Sequence, residues 1–292
     1  MSAIHTERRQ PDARLATLAR KDILRYLRHP AFLIGAALTV ASCLFRPDEQ
    51  FSSALQVIAP AAGLGLFGMI VMASLTRSSD AAAAAAGTVS TSQRTRTLAL
   101  GCALVVPFAA GLVWFAWAVW AYNHWPAAPQ GAPFGDISDT YMYATMFDLG
   151  VLAAVGGPVV GLVIGRWLPR RGAAPIAVVV MVLVTIVMQG IFEPLRYLRL
   201  VAPWTYFVGP FGTDGDGDRT LALTGSPYWY GAYLVALCTF GVLFAMLRDE
   251  EHSRHGLKRA LAVVGLVAVV FCTLAITGGP QEVLVNPLPS GR

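Results

Sequence analysis

Apolar residues run along this chain in blocks of roughly 15 to 25, separated by short polar stretches. At about 1.5 Å per residue a helical block of 20 crosses about 30 Å of hydrocarbon. The blocks predict seven helical spans, near 31–46, 54–75, 98–122, 146–165, 173–192, 229–247 and 260–278. The fold class is therefore all-α, a polytopic membrane protein with residues 1–292 as one transmembrane domain. The first block is the shortest, since Pro30 and Arg46 bound it, and Gly156-Gly157-Pro158 interrupts the fourth. Gly157, Gly161 and Gly165 recur every fourth residue in the fourth span, and Gly63, Gly65 and Gly68 stud the second. Faces without side chains let helices approach closely in lipid, so both sets predict packing seams.

Ahead of the first block, residues 13–29 alternate in a different way. With about 100° between successive residues, Leu15, Ala16, Ala19, Ile23, Tyr26 and Leu27 share one face. Arg14, Arg20, Lys21, Arg25 and Arg28 occupy the other, and Leu24 alone breaks the pattern. A basic amphipathic helix of this kind lies in the membrane interface with its cations toward anionic headgroups. Pro30 permits a bend from it into the first span.

Composition agrees with the pattern. The chain is 55% hydrophobic and 13% charged, against about 25% charged in a soluble domain. The net charge of +5 reads as topology and not as a nucleic-acid surface, because 17 of the 22 Lys and Arg residues fall in 1–30, 76–97, 166–172 and 248–259. Those are alternate connections, which predicts a cytoplasmic N-terminus and, with seven spans, an external C-terminus in a cell membrane. The polar N-terminus has no short apolar core and no cleavage site, so the first span is expected to act as an uncleaved insertion signal. Cys43, Cys102, Cys238 and Cys272 all lie within or beside apolar runs without metal-ligand spacing, and are expected to be small buried free thiols.

Catalytic and metal-binding patterns fail on their details. Asp214, Asp216 and Asp218 begin like a calcium loop, but the sixth position is Arg219 and the twelfth Gly225, which removes the turn glycine and the bidentate glutamate. Glu250, Glu251, His252 and His255 sit in a short charged connector without the HExxH spacing of a zinc site. Neither a P-loop nor a GxSxG nucleophile elbow is present. Asp148 and Glu193 fall at the edges of predicted spans, so no ionisable group is expected near a span centre and ion-coupled transport is disfavoured. The outer segment 193–228 begins EPLRYLRLVAPWTYFVGPFG, whose aromatic content suits either an interfacial belt or a re-entrant element.

Three stretches together resemble the permease subunit of type 2 ATP-binding cassette exporters, particularly actinobacterial ones. LRYLRHPAFLIG is similar to the family's connecting helix before the first span, GTVSTSQRTRTLALG to its loop between spans two and three, and VAPWTYFVG to its outer hairpin. The family core has six spans, so the resemblance implies that 260–278 would be an addition to it. The resemblance implies two permease chains, as homo- or heterodimer, enclosing the substrate path in the bilayer. ATP would be used by a separate ATPase subunit, and this chain would bind no cofactor or metal and catalyse nothing. Within the cytoplasmic connection 76–97, the candidate ATPase-coupling residues are Asp80, Ala81, Ala82, Ala83, Ala84, Ala85, Ala86, Gly87, Arg94 and Arg96. Asp80 is expected to cap a short alanine helix and Gly87 to end it. Two alternatives stay open: a non-transporting membrane component such as a sensor or assembly partner, and an integral membrane enzyme acting on lipid.

Overall fold

The structure is a computed structural model and describes residues 4–44, 56–85, 87, 91–125, 138–187, 201, 225–248 and 254–279. These form eight helices and no strand. They are α1 (Ile4–Leu27), α2 (Pro30–Leu44), α3 (Ile58–Ala85), α4 (Gln93–His124), α5 (Asp139–Trp167), α6 (Ala173–Ile186), α7 (Pro227–Met246) and α8 (Arg254–Thr277). Five of them, α3, α4, α5, α7 and α8, are long and apolar enough to cross a membrane, and a sixth span results if α1 and α2 count as one bent element. α6 is apolar but shorter. The exterior is correspondingly greasy, with Leu33, Leu38, Val113, Ile176, Leu183, Val263 and Leu266 exposed. Such a surface is compatible with a hydrocarbon environment, where exposed apolar side chains meet no water.

Helix boundaries follow local chemistry. Ser92 caps α4, accepting from the Thr95 N–H at 3.2 Å, and Ser138 caps α5, accepting from the Tyr141 N–H at 3.3 Å. Pro227 occupies the first turn of α7, where a missing N–H costs nothing. Pro107 has no N–H to give the Ala103 carbonyl, and α4 answers with a turn at 103–104 held by tighter three-residue bonds from Ala103 and Leu104. α1 and α2 meet at 58° around His29 and Pro30. The Gly156-Gly157-Pro158 interruption expected in the fourth span does not occur, since α5 runs through it to Trp167. Close neighbours on all sides hold the backbone helical there.

The centre of the bundle is the crossing of α3 and α5. A Cβ added at Gly157 would strike the Gly65 carbonyl, one at Gly161 the Met69 carbonyl, and one at Gly165 the Thr76 side chain. Of the two glycine sets read from the sequence, Gly157 and Gly65 meet backbone on backbone, Gly161 and Gly165 meet Met69 and Thr76, and Gly68 meets Tyr26 and Pro158. α2 repeats the device on the start of α3, where Gly35 and Gly63 each approach the other's carbonyl. α7 and α8 form a second pair, tied at one end by the Ser226 N–H donating to the Ala275 carbonyl at 2.8 Å.

α1 begins nine residues earlier than the expected helix of 13–29 and packs mainly on the start of α4. Its buried stripe is Ala19, Asp22 and Tyr26, with Ile23 half-buried, whereas Ala16 and Leu27 of the expected apolar face are exposed. Arg14, Arg20, Lys21 and Arg28 are exposed, but Arg25 turns inward. The helix face is rotated because it meets protein: Tyr26 reaches the α3–α5 crossing, its hydroxyl lying where a Cβ on Gly68 would go, beside Pro158. All four cysteines are free, yet none is fully buried and Cys102 is exposed, so the expectation of buried thiols fails.

Gly161→Leu is expected to destabilise the protein by about 3 kcal/mol or more, because a side chain there must force the backbones of α3 and α5 apart. Gly256→Leu, with nothing near its Cβ position among the described residues, is expected to change little. Thermal unfolding of the two purified variants, followed by loss of monodisperse protein, compares them.

Candidate functional site

One end of the bundle collects the end of α3, the start of α4, the end of α5, and α1. Its organising group is Asp80, which lies inside α3 and not at a helix start. The expected N-cap role is therefore wrong: the alanines continue α3 for more than a further turn, through Ala85. The reason is that neither Gly nor Pro occurs between Met69 and Ala85, and alanine propagates a helix best. Gly87 follows at φ 65°, the left-handed geometry suited to a chain leaving a helix. Ala86 and residues 88–90 lie outside the described residues.

From that mid-helix position Asp80 Oδ1 accepts from Arg166 Nη1 on α5, and it stands 3.6 Å from Arg96 Nη2 on α4. The Arg166 side chain has no exposed surface, while that of Asp80 is about one-third exposed at 37%. A guanidinium buried this completely is retained only against a carboxylate, since removing one partner strands the other charge. Arg166 is read from the sequence as one of several topogenic cations; the structure makes it a structural counter-ion. Its one sequence signal is its place directly after Gly165, the last small residue of the seam.

The remaining expected residues distribute around this pair. Arg96 joins the network, but Arg94 points to the exterior. Ala81, Ala82, Ala84 and Ala85 are exposed and Ala83 is half-buried, so the alanine segment stands out from the bundle. Arg77 Nη1 donates to the Arg170 carbonyl at 3.0 Å, which pins the α5–α6 connection to α3. On α1, Arg25 Nη1 donates to Asp22 at 3.3 Å and Nη2 to Ser78 on α3. Asp22 is itself buried, and Arg25 supplies the opposite charge that offsets its loss of water. Trp167 stacks on Phe244 with ring centroids 4.9 Å apart and donates to its carbonyl at 3.2 Å, while Arg248 lies over the indole at 5.8 Å. These contacts link α1, α3, α4, α5 and α7 into this end, and Arg77 adds the connection that precedes α6.

A second ionisable group contradicts the sequence reading. Asp148 is not at a helix edge: α5 starts at Asp139, so Asp148 is its tenth residue, buried, within a stretch (Phe147–Leu152) wound as a π-helix. The stretch YMYAT, which precedes the expected span of 146–165, is helical and in good part buried, and it moves the acid inward. Glu193 and the connector residues Glu250, Glu251 and His252 lie outside the described residues, as do Asp214, Asp216 and Asp218. Among the described residues no three His, Cys, Asp or Glu side chains converge on a point. Comparison with protein-family models, with curated proteins and with solved structures finds no match to this chain.

Asp80→Ala is expected to cost about 2 kcal/mol, the carboxylate being partly solvated and Arg166 not. Adding Arg166→Met, which replaces the stranded guanidinium by an apolar chain, is expected to recover most of that loss. Chemical unfolding of the single and double variants measures the coupling.

Proposed function

We propose that this chain is the membrane-spanning permease subunit of an ATP-binding cassette exporter, working with a separate ATPase subunit and a second permease chain. The observation that carries the reading is mechanical. An exposed helical extension of small residues, Ala81–Ala85, continues rigidly from α3, and Asp80 at its base is tied to α5 and α4. A force applied to that extension therefore acts on α3 directly and on α5 through Asp80, the two helices whose crossing forms the centre of the bundle. Rigid elements joined by ion pairs can carry such a displacement if the bundle has two packings of similar stability.

In this reading the basic end faces the cytoplasm, following the distribution of Lys and Arg. The ATPase seats on the loop 76–97, with Ala81–Ala86 and Gly87 as the contact and Arg96 and Asp80 as the transmission. α1 lies at the cytoplasmic interface, and Tyr26 conveys its position to the α3–α5 crossing. α2 and α6 complete seven spans, with the C-terminus outside. Binding of ATP by the partner biases one packing over the other, and substrate leaves through the surface between two permease chains.

Ala84→Pro tests the coupling element. Proline there removes a helix hydrogen bond and clashes with the Asp80 carbonyl, at a local cost of about 3 kcal/mol. The expected outcome is loss of ATP-dependent efflux from vesicles, and of ATPase co-purification, with the amount of folded permease unchanged. Unaltered efflux and association in this variant would remove the coupling role from the alanine segment. If wild-type protein neither retains an ATPase subunit nor supports ATP-dependent efflux, the exporter reading itself fails.

A further inference from the structure

We infer that the cleft beside Asp148 is a binding site for a lipophilic organic cation, a ligand with an apolar body and a single positive charge. The cleft holds about 400 Å³ and lies between α5 and α7, with Phe115 of α4 closing one side. That volume falls in the range of small-molecule sites, about 300–1,000 Å³. Its walls include the rings of Phe115, Tyr143, Phe147 and Tyr228, and among the described residues no Lys, Arg or His lines it. Phe115 and Phe147 brace each other edge to face, 5.5 Å between centroids.

Asp148 is the ionisable acid among these walls and is only 3% exposed. Its Oδ2 has no hydrogen-bond partner among the described residues. Gly231 opposite carries no side chain, and a Cβ there would collide with the carboxylate oxygen. The neighbouring phenols are committed elsewhere, Tyr143 donating to Asn123 at 3.0 Å and Tyr228 to Thr140 at 3.1 Å. The π-wound segment that carries Asp148 is the type of helix irregularity that recurs at functional sites.

A carboxylate held in apolar surroundings without a partner is costly, and in membrane segments such groups mark binding or conduction. The chemistry of the walls decides among ligands. An anion is repelled by Asp148, and a neutral polar molecule finds too few partners. A hard metal ion requires several oxygen ligands and one carboxylate does not supply them. A cation with apolar substituents satisfies the acid, lies against aromatic rings that attract positive charge, and buries its body against the remaining walls. Tyr228 and Val235 at the rim are exposed, so the cleft opens at the surface of the bundle, where a lipid-soluble molecule arrives. This site requires only α4, α5 and α7, and its occupancy is independent of any ATPase.

Equilibrium dialysis of the purified full chain in detergent tests it, with tetraphenylphosphonium as the probe and tetraphenylborate as its anionic counterpart of the same shape. Saturable binding of the cation, about tenfold or more weaker in Asp148→Asn and absent for the anion, is the expected result. Ala232→Leu, which narrows the cleft and leaves the carboxylate in place, is expected to weaken cation binding too, and Asp139→Asn to leave it unchanged. The inference is overturned if wild type shows no saturable cation binding, if the anion binds equally, or if Asp148→Asn binds like wild type. Should Asp148→Asn lose the wild-type elution profile, Ala232→Leu decides: unchanged affinity there overturns the site. Cation binding by a chain that neither retains an ATPase subunit nor supports ATP-dependent efflux would sink the exporter reading and leave the site standing, and efflux without cation binding the reverse.

Discussion

The close approach of α3 and α5 is the constraint from which the rest of this structure follows. In lipid, apolar faces gain little by leaving hydrocarbon, so helices associate through the density of their contacts. Gly157 over Gly65 and Gly161 over Met69 bring two backbones together where any side chain would hold them apart. Because the seam is continuous from Gly65 to Thr76 on α3 and from Gly157 to Gly165 on α5, its next residues are held in register as well. Asp80 stands one turn beyond Thr76 and Arg166 one residue beyond Gly165, and the two meet. The ion pair is thus a consequence of the glycine seam, placed where the helices are already fixed. Tyr26 of α1 depends on the same crossing, since its hydroxyl occupies the space that Gly68 leaves beside Pro158.

α5 is the element on which both polar features are built. Asp148 and Arg166 are 18 residues apart on it, roughly 27 Å of helix. Each is an ionisable group that lies within the packed bundle, and the two are resolved in opposite ways. Arg166 is neutralised by a carboxylate from a neighbouring helix, and Arg96 shares that carboxylate. Asp148 faces a cleft with aromatic walls, and its Oδ2 has no partner among the described residues. A helix that is buried through most of its length between α3, α4 and α7 cannot shift at one of these groups without disturbing the packing that sets the other, which gives the proposed transmission from the basic end a physical route.

The class of the elements and the place of the long helices are legible in the sequence because they depend on near-neighbour chemistry. Apolar block length and charge frequency mark the long helices, and the four-residue spacing of Gly157, Gly161 and Gly165 marks the face of α5 that meets α3. Ser92, Ser138 and Pro227 act at helix starts as their side chains dictate. Sequence and structure part company where helix extent depends on tertiary surroundings. Tyr141 and its neighbours fall before the expected span of 146–165, and their burial by α4 and α7 makes them the first turns of α5. Asp80 looks like a cap that separates residues 81–85 from α3, although no breaker intervenes and the acid's partner is hidden in another helix.

What the sequence determined by itself was an all-helical chain with apolar exteriors, a basic end and close-packing glycine faces, since each of these is a property of composition or period along one helix. What only the tertiary structure decided was which charges matter. Arg166 and Arg94 are indistinguishable as cations in a polar connection, yet one is sealed against Asp80 and the other faces out. Asp148 and Asp139 are both acids near the start of α5, yet one lies at the bottom of an aromatic cleft and the other bonds Tyr122 at the helix end, 3.3 Å away. Charge cost is set by the dielectric and the partners around a group, and both come from helices distant in sequence.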